Sequence, residues 1–261
     1  MRQLHEDQRA PGYLLTIVEG NNNAIKLLTA GRAGLPDGYD LGRYMTFAIN
    51  IYREKEPVAR DIEIIRGNVD LLDEIISCMH RNGAAKQFYP YYSKEDFQFE
   101  NRFLRGFMVE DFYLAMKKHR VVGVMGKWDQ KDFKQTIVTG YNGKMKWIKP
   151  LYNLAARRAG FSPLPEPNSQ LNNFYGCFVA VEDNELQVFR ALLRAVYNDA
   201  VGKGYAYFLI GLHESDRLAE ACKEYNHIKY ASRLFFMCCE DGKDLYRRLD
   251  NRVPYLELGT L

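Results

Sequence analysis

The fold class is decided by one stretch, residues Phe174 to Leu212, which is FYGCFVAVEDNELQVFRALLRAVYNDAVGKGYAYFLIGL. Phe174 to Glu182 and Tyr205 to Leu212 are rich in aliphatic and aromatic residues, as buried strands are. Between them, Asn184 to Val201 has apolar residues at positions 186, 189, 192, 193, 196 and 197, the spacing of an amphipathic helix. The stretch therefore predicts a right-handed βαβ unit whose two strands are roughly parallel and central in one sheet.

The segments around this unit predict further elements of both kinds. In chain order they are a strand at Asp61 to Arg66, helices at Val69 to Arg81 and Lys94 to Leu104, a hairpin from Asp111 to Trp128, a helix at Asp216 to Tyr225, and strands at Ala231 to Cys239 and Val253 to Leu258. Lys131 to Gly160 is a polar and aromatic insertion, partly helical from Trp147 to Ala159, and we expect it on the surface. The protein is thus predicted to be of the mixed α/β class.

The first 57 residues predict a separate short unit. Tyr13 to Glu19 and Arg43 to Arg53 have the composition of strands, a helix begins near Asn21, and Glu54 to Pro57 is a charged linker that ends in proline. We therefore divide the chain into residues 1–57 and 58–261. Because an unpaired apolar strand invites pairing, we expect the two N-terminal strands to pair with each other on the main domain, or with a second copy in a homodimer.

Composition excludes several classes of protein. The 261 residues are 47% hydrophobic and 26% charged, enough for a sizeable core, and no apolar run approaches the roughly 20 residues of a membrane span. The five cysteines show no CxxC spacing and the five histidines no HxxxH pair, so we predict no metal. The net charge is only +3, and the basic and acidic residues are interspersed. The exception is a basic cluster at Lys144, Lys146, Lys149, Arg157 and Arg158. We predict a cytoplasmic protein with neither a nucleic-acid nor a membrane partner, and interpret the cluster as a solvated surface or, alternatively, a phosphate site.

The order of elements from about residue 58 to residue 261 resembles that of the GNAT superfamily of acyl-CoA N-acyltransferases. The resemblance implies an α/β (α+β) fold with a mixed, mostly antiparallel central sheet flanked by helices. It also implies acetyl-CoA or another acyl-CoA as co-substrate, and a small-molecule or peptide amine as acceptor. The segment TIVEGNNNAIKLLTAGRAG resembles the close of a second such domain, at Asn21, Ala24, Leu27, Leu28 and Gly31. Residues 1–57 would then be the C-terminal remnant of a first domain.

The same resemblance places the coenzyme beside Phe178, Val179, Ala180 and Val181, where the two parallel strands splay, and beside Asn184. In the family, the turn before the long helix usually has the pattern Gln/Arg-x-x-Gly-x-Gly/Ala and binds the pyrophosphate. Here the turn has no glycine, and its sequence from Val181 is VEDNEL. The carboxylates of Glu182, Asp183 and Glu185 would repel an anion there. Alternatively, Asp183 or Asn184 is a plain N-cap.

The resemblance also implies a general acid and a general base. A tyrosine in the last helix is commonly the acid, and Tyr225 is the candidate, with a role as a packing residue as the alternative. The corresponding position of the N-terminal remnant is Leu28. The base would deprotonate the amine before it attacks the thioester. His213 and Glu214, just beyond the second strand of the βαβ unit, are the candidates, with His119 and Glu110 as weaker alternatives.

Three functions remain open on the sequence. The first is an N-acyltransferase. The second is a non-catalytic domain of the same fold that supports a partner domain or a dimer, because the glycines of the coenzyme turn are missing. The third is a nucleotide or RNA binder, which rests on Lys144 to Arg158 and the many tyrosines.

Overall fold

A computed structural model of the chain describes residues 10–30, 36–58, 61–98, 103–141, 143–159 and 162–261. Its strands are β1 Tyr13–Val18, β2 Asp37–Asn50, β3 Glu63–Arg66, β4 Lys86–Gln87, β5 Phe112–Lys117, β6 Arg120–Trp128, β7 Ile137–Val138, β8 Ser169–Gln170, β9 Asn173–Val181, β10 Tyr207–His213, β11 His227–Cys238 and β12 Val253–Pro254. Its helices are α1 Asn22–Thr29, α2 Leu72–Gly83, α3 Glu95–Gln98, α4 Lys144–Ala159, α5 Leu186–Ala200, α6 Ala219–Cys222 and α7 Lys243–Arg247. Among these helices, none is both long and apolar enough to cross a membrane.

Eight of the strands form one sheet, in the order β1-β11-β2-β10-β9-β6-β5-β3. Only β9 and β10 are parallel neighbours, and the other pairs in this sheet are antiparallel. The predicted mixed, mostly antiparallel sheet flanked by helices is therefore confirmed, with the βαβ unit of β9, α5 and β10 at its centre. β4 with β12, and β7 with β8, form two small separate sheets.

Each face of the sheet carries a hydrophobic core. On one face, α5 buries Phe189, Leu192 and Leu193 against Phe174 and Phe208 of the central strands. On the other face, α2 packs with an aromatic cluster that surrounds the buried ring of Phe178. The apolar spacing that predicts α5 is thus explained by a helix that covers two parallel strands.

The N-terminal strands lie inside this sheet. β2 pairs with both β10 and β11, and β1 pairs with the far side of β11. The expectation that the two N-terminal strands pair with each other is wrong, because β11 lies between them. The division of the chain at residue 57, and the descent of residues 1–57 from a first domain, stay predictions.

The predicted final edge strand at Val253 to Leu258 is also wrong. Only Val253–Pro254 is extended and paired, and it pairs with β4 away from the main sheet. The reason is that β1 and β2 occupy both edges of β11, so that no position beside it remains. The chain instead continues over the sheet, where Leu258 packs beside Tyr175 and Leu209 of β9 and β10.

Two predicted helices are shorter than expected. The helix predicted from Asp216 is reduced to α6, because the Asp216 carboxylate accepts the N–H of Leu218 and forms a turn. The helix predicted from Lys94 is reduced to α3, and residues 99–102 lie outside the described residues.

Candidate functional site

The central parallel strands separate at their carboxyl ends. The β9–β10 ladder ends at Gly176 opposite Ile210, whereas β9 continues to Val181 and β10 to His213. The backbone edge of β9 beyond Gly176 therefore has no ladder partner in β10. A crevice at the carboxyl ends of parallel strands is where α/β sheets bind ligands. We call this gap the β9–β10 cleft.

A β-bulge at Phe178 shapes the wall of the cleft. The register between β6 and β9 shifts between Val124 and Gly126, and Phe178 has a φ of 54°. This left-handed conformation is costly for a residue with a side chain, and bulges of this kind often lie next to active sites. The Phe178 ring is fully buried, 4.7 Å from the ring of Phe107, which holds the bulge in place.

The bulge directs a backbone N–H towards a carboxylate. The N–H of Phe178 donates to Oε2 of Glu257 over 2.7 Å. The same oxygen accepts the hydroxyl of Tyr255 at 2.6 Å, and Oε1 accepts the N–H of Gly259 at 3.1 Å. Burial of the carboxyl group raises the pKa of Glu257, although these three hydrogen bonds oppose the rise. Glu257 is thus a buried acid that holds a carboxyl oxygen against the bulge.

No pattern in the sequence marks Glu257 as a site residue. Its contact with Phe178 joins residues 79 positions apart, and the segment around it was predicted as an edge strand. The available signal was a single carboxylate between Leu256 and Leu258, close to Pro254. Such a residue is ambiguous, because most glutamates next to apolar residues lie in solvent.

The turn before α5 directs two of its three acidic side chains away from the cleft. Glu182 is paired with Arg120 at 2.6 Å and Glu185 with Lys117 at 2.9 Å, both on the β5–β6 side of β9. The expectation that these carboxylates crowd a coenzyme phosphate is therefore wrong for these two residues. Asp183 is exposed, with a φ of 52°.

The alternative that Asp183 or Asn184 is a plain N-cap is wrong as well. The N-cap position of α5 is Glu185, and no side chain caps the helix there. Asn184 instead adopts a φ of 51°, and its side chain extends towards β10.

A polar bridge closes the mouth of the cleft. Nδ2 of Asn184 donates to Oδ1 of Asp216 over 3.0 Å, which connects the end of β9 to the turn after β10. The other oxygen of Asp216 forms an ion pair with Lys86, and both side chains are at least nine-tenths buried. Buried ion pairs of this kind hold a defined geometry, and removing one partner leaves an uncompensated charge.

The side chains of the four predicted coenzyme-binding residues of β9 lie inside the protein. Phe178, Val179, Ala180 and Val181 are each at most 6% exposed. Val179 and Val181 belong to the α5 core, whereas Phe178 and Ala180 belong to the α2 core. A ligand in the cleft would therefore meet the backbone edge of β9 rather than these side chains.

The structure places His213 and Glu214 against β2. Nδ1 of His213 accepts the N–H of Ser215, and Nε2 lies 2.8 Å from the carbonyl oxygen of Leu41, to which it therefore donates. Oε1 of Glu214 accepts the N–H of Arg43 at 2.8 Å. Both side chains fix the bend of β2 at Gly42, where any Cβ would collide with them. Their predicted role as bases stays a prediction, and these contacts favour a structural role.

Tyr225 lies in the α5 core. Its hydroxyl accepts Nε of Arg194 at 2.9 Å, and its ring packs 5.0 Å from that of Tyr197. Burial raises the pKa of Tyr225 to about 12. The structure does not bring this hydroxyl to Glu214 or His213, and its contacts favour packing over acid catalysis.

The weaker alternatives lie at the other side of the sheet. His119 is in the β5–β6 turn with a φ of 60°, and the backbone carbonyl of Glu110 accepts the side chain of Arg66. Among the described residues, no cluster of His, Cys, Asp or Glu has the arrangement of a metal site.

Comparison with known structures identifies the fold. The chain aligns over its full length with a GCN5-related N-acetyltransferase from Sphaerobacter thermophilus, at 10% identity and a TM-score of 0.54, and covers 66% of that chain. It also aligns over 90% of its length with a functionally unknown conserved protein from Staphylococcus epidermidis, at 9% identity and a TM-score of 0.51, covering 76% of that chain. The chain thus spans slightly less than two thirds of the acetyltransferase. No protein-family model matches the sequence, and no curated protein matches it either.

The chain has the acyl-CoA N-acyltransferase fold of the GNAT superfamily. Identities of about 10% carry the fold and leave the substrate open.

Proposed function

We propose that this protein binds an acyl-CoA in the β9–β10 cleft and transfers its acyl group to an amine. The observation that carries the proposal is the N–H of Phe178, which the bulge removes from the sheet ladder and directs at a carboxyl oxygen of Glu257. Acetyl-CoA is the simplest co-substrate, since the named acetyltransferase shares the fold.

In the proposed chemistry this N–H is a hydrogen-bond donor to the carbonyl oxygen of the thioester. When an amine attacks the thioester carbon, negative charge develops on the carbonyl oxygen, and a pre-oriented N–H stabilises it. Phe178 already donates to a carboxyl oxygen, so its N–H is oriented towards an oxygen at that place before any substrate binds. The thioester oxygen would displace Oε2 of Glu257 from the N–H.

Glu257 then becomes the best candidate for the base. A displaced carboxylate lies beside the reacting carbon, and its raised pKa brings it nearer to the range in which a carboxylate accepts a proton from an amine. The C–N bond forms, the C–S bond breaks, and the thiolate of the coenzyme takes up the proton. Glu257 replaces His213 and Glu214 in this role because it alone contacts the bulge.

The coenzyme phosphates would lie at the first turn of α5, whose N–H groups have no intrahelical partners. Arg120 and Lys117 neutralise Glu182 and Glu185, which removes the repulsion expected from the sequence. For the phosphates to enter, the hydrogen bond between Asn184 and Asp216 has to open.

The acceptor amine would approach through a cavity of about 350 Å³ between the end of α2 and β4. Lys86 lines this cavity and also reaches Asp216 at the mouth of the cleft. His80, Tyr89 and Tyr91 contribute an aromatic wall, which suits a small amine or the side chain of a peptide.

The second candidate is a non-catalytic domain of the same fold. It is favoured by the polar bridge across the mouth and by Glu257, whose carboxyl group already occupies the N–H of Phe178. In that case Glu257 and Asp216 are structural.

Calorimetric titration with acetyl-CoA tests the proposal. Asn184→Gly removes the bridge and suits a φ of 51°, so it should tighten binding by about threefold to tenfold, the value of one hydrogen bond. Asp244→Asn is the control, since this carboxylate is paired with Arg247 on α7 and belongs to no part of the proposed site, and it should leave affinity unchanged. Release of free thiol with a panel of amines completes the test. No binding at millimolar coenzyme by either the native protein or Asn184→Gly would leave the non-catalytic domain as the function.

A further inference from the structure

The helix α4 exposes an apolar stripe to solvent. Trp147, Ile148, Leu151 and Leu154 are 83%, 49%, 70% and 51% exposed. They lie at helical spacings of one, three and four residues, and therefore share one face. Four large apolar residues on one helix face are too many for chance exposure on a solvated surface.

The opposite face of α4 attaches the helix to the domain. The side chain of Asn153, which is buried, donates to the carbonyl of Leu164 at 3.2 Å and accepts its N–H at 2.7 Å. Ala156 is buried on the same side, and Lys149 forms an ion pair with Glu166 at 2.7 Å. Because these contacts fix the rotation of the helix, the apolar stripe is held outwards.

The charge of α4 has one sign. Its sequence, KMKWIKPLYNLAARRA, contains five basic residues and no acidic residue. Of these, Lys146 and Arg158 are exposed, and Arg158 follows Leu154 by one turn on the apolar face. For this basic cluster the sequence allows two interpretations, a solvated surface and a phosphate site.

We propose that α4 docks this protein on an anionic lipid surface. A basic helix with tryptophan and leucine on one face lies in the plane of the membrane interface, where the apolar residues enter the acyl boundary and the cations meet lipid phosphates. The docking is peripheral and involves no membrane span, and it replaces the expectation from the sequence that the protein has no membrane partner. It is independent of the proposed acyl transfer.

The same features disfavour the other occupants. In a two-fold dimer through α4, the like charges of two copies would face each other across the interface. A nucleic acid would satisfy the cations but would leave Ile148, Leu151 and Leu154 without an apolar partner, since phosphates and sugars offer none. A lipid surface satisfies both the cations and the stripe.

The fluorescence of Trp147 reports docking directly. The chain has two tryptophans, and the other, Trp128, is 1% exposed. With vesicles of phosphatidylcholine and phosphatidylglycerol, we expect a blue shift of the emission and weaker quenching by iodide. Trp147→Phe should abolish both changes. Vesicles of phosphatidylcholine alone should give a much smaller change. Added salt should reverse the change seen with the anionic vesicles, because it screens the charges.

Co-sedimentation with the same vesicles provides the matched variants. Leu151→Glu should lower the partition coefficient by about tenfold or more, because it places a carboxylate in the apolar stripe. Leu27→Glu is the control and should bind as the native protein does, because Leu27 is 48% exposed but lies on α1. Both positions are exposed, so unchanged circular dichroism is expected for both variants.

Three results would overturn the proposal. One is the absence of binding to anionic vesicles, and another is equal binding by the native protein and Leu151→Glu. The third is self-association or RNA binding that Leu151→Glu abolishes while vesicle binding is absent, which would assign the face to a second copy or to RNA.

Discussion

Two amphipathic helices of similar length, α5 and α4, differ in whether their apolar faces are buried. The apolar face of α5 is buried against β9 and β10, with Phe189, Leu192 and Val196 fully inaccessible. The apolar face of α4 is largely exposed to solvent, and Asn153 and Ala156 on its other side attach it to the domain. A helical period thus predicts a helix but does not say which surface will cover its apolar face.

This difference in burial separates the proposed acyl-CoA site from the proposed docking surface. Around α5, burial produces the cleft, the bulge at Phe178 and a desolvated acid, Glu257. Around α4, exposure leaves a surface that can only act by docking. Substitutions in the two regions should therefore change different measurements.

The largest effect is expected in the core of α5. Leu192 is fully buried and its Cδ1 lies against Gly123 of β6. Leu192→Ala should lower the free energy of unfolding by about 2–5 kcal/mol, through lost transfer free energy and the cavity left behind. Urea denaturation measures it. A loss no greater than that of an exposed leucine would show that α5 does not cover the sheet.

A pH-dependent effect is expected at Glu257. Its folded pKa is raised above the ordinary value of 4.5, so its contribution to stability is fully present below that value and is lost as pH rises through the folded pKa. Each pKa unit is worth about 1.4 kcal/mol. Glu257→Gln should remove this dependence, so that the variant gains on the native protein between pH 4.5 and neutrality.

Urea denaturation of both proteins over that pH range checks the expectation. Tyr255→Phe is a useful companion, since it removes one donor to the carboxylate and retains the charge. Parallel pH profiles for the native protein and Glu257→Gln would mean that the carboxyl group titrates at its ordinary pKa.

The smallest effect is expected on α4. Leu151→Ala should change the free energy of unfolding by less than about 0.5 kcal/mol, because the side chain is 70% exposed. Leu192→Ala in α5 should lower the free energy of unfolding several times more. A loss at Leu151 as large as that at Leu192 would mean that the apolar stripe belongs to the core.

The sequence predicts the fold through local signals. The β9–α5–β10 unit is confirmed because its strand composition and helical spacing are carried by consecutive residues. The edge strand predicted at Val253 to Leu258 is wrong because its place beside β11 is taken by β2, about two hundred residues earlier in the chain. Pairing over such a distance leaves no local mark.

The site was predictable only in outline. The resemblance located the end of β9 and the turn at Asn184, and the structure confirms that β9 and β10 separate there. It could not show that Glu182 and Glu185 point to Arg120 and Lys117, because side-chain direction depends on the neighbouring hairpin. Nor could it find Glu257, whose importance arises from a contact with a bulge that no local pattern marks.

The central claim, that an acyl-CoA lies in the β9–β10 cleft with its phosphates at α5, is tested most directly by backbone hydrogen exchange with and without acetyl-CoA. The N–H groups of residues 186–188 begin the helix and lack intrahelical partners. We predict that coenzyme slows exchange over residues 182–188, more in Asn184→Gly than in the native protein. Unchanged exchange over these residues at millimolar coenzyme, or protection confined to another part of the chain, would contradict the account.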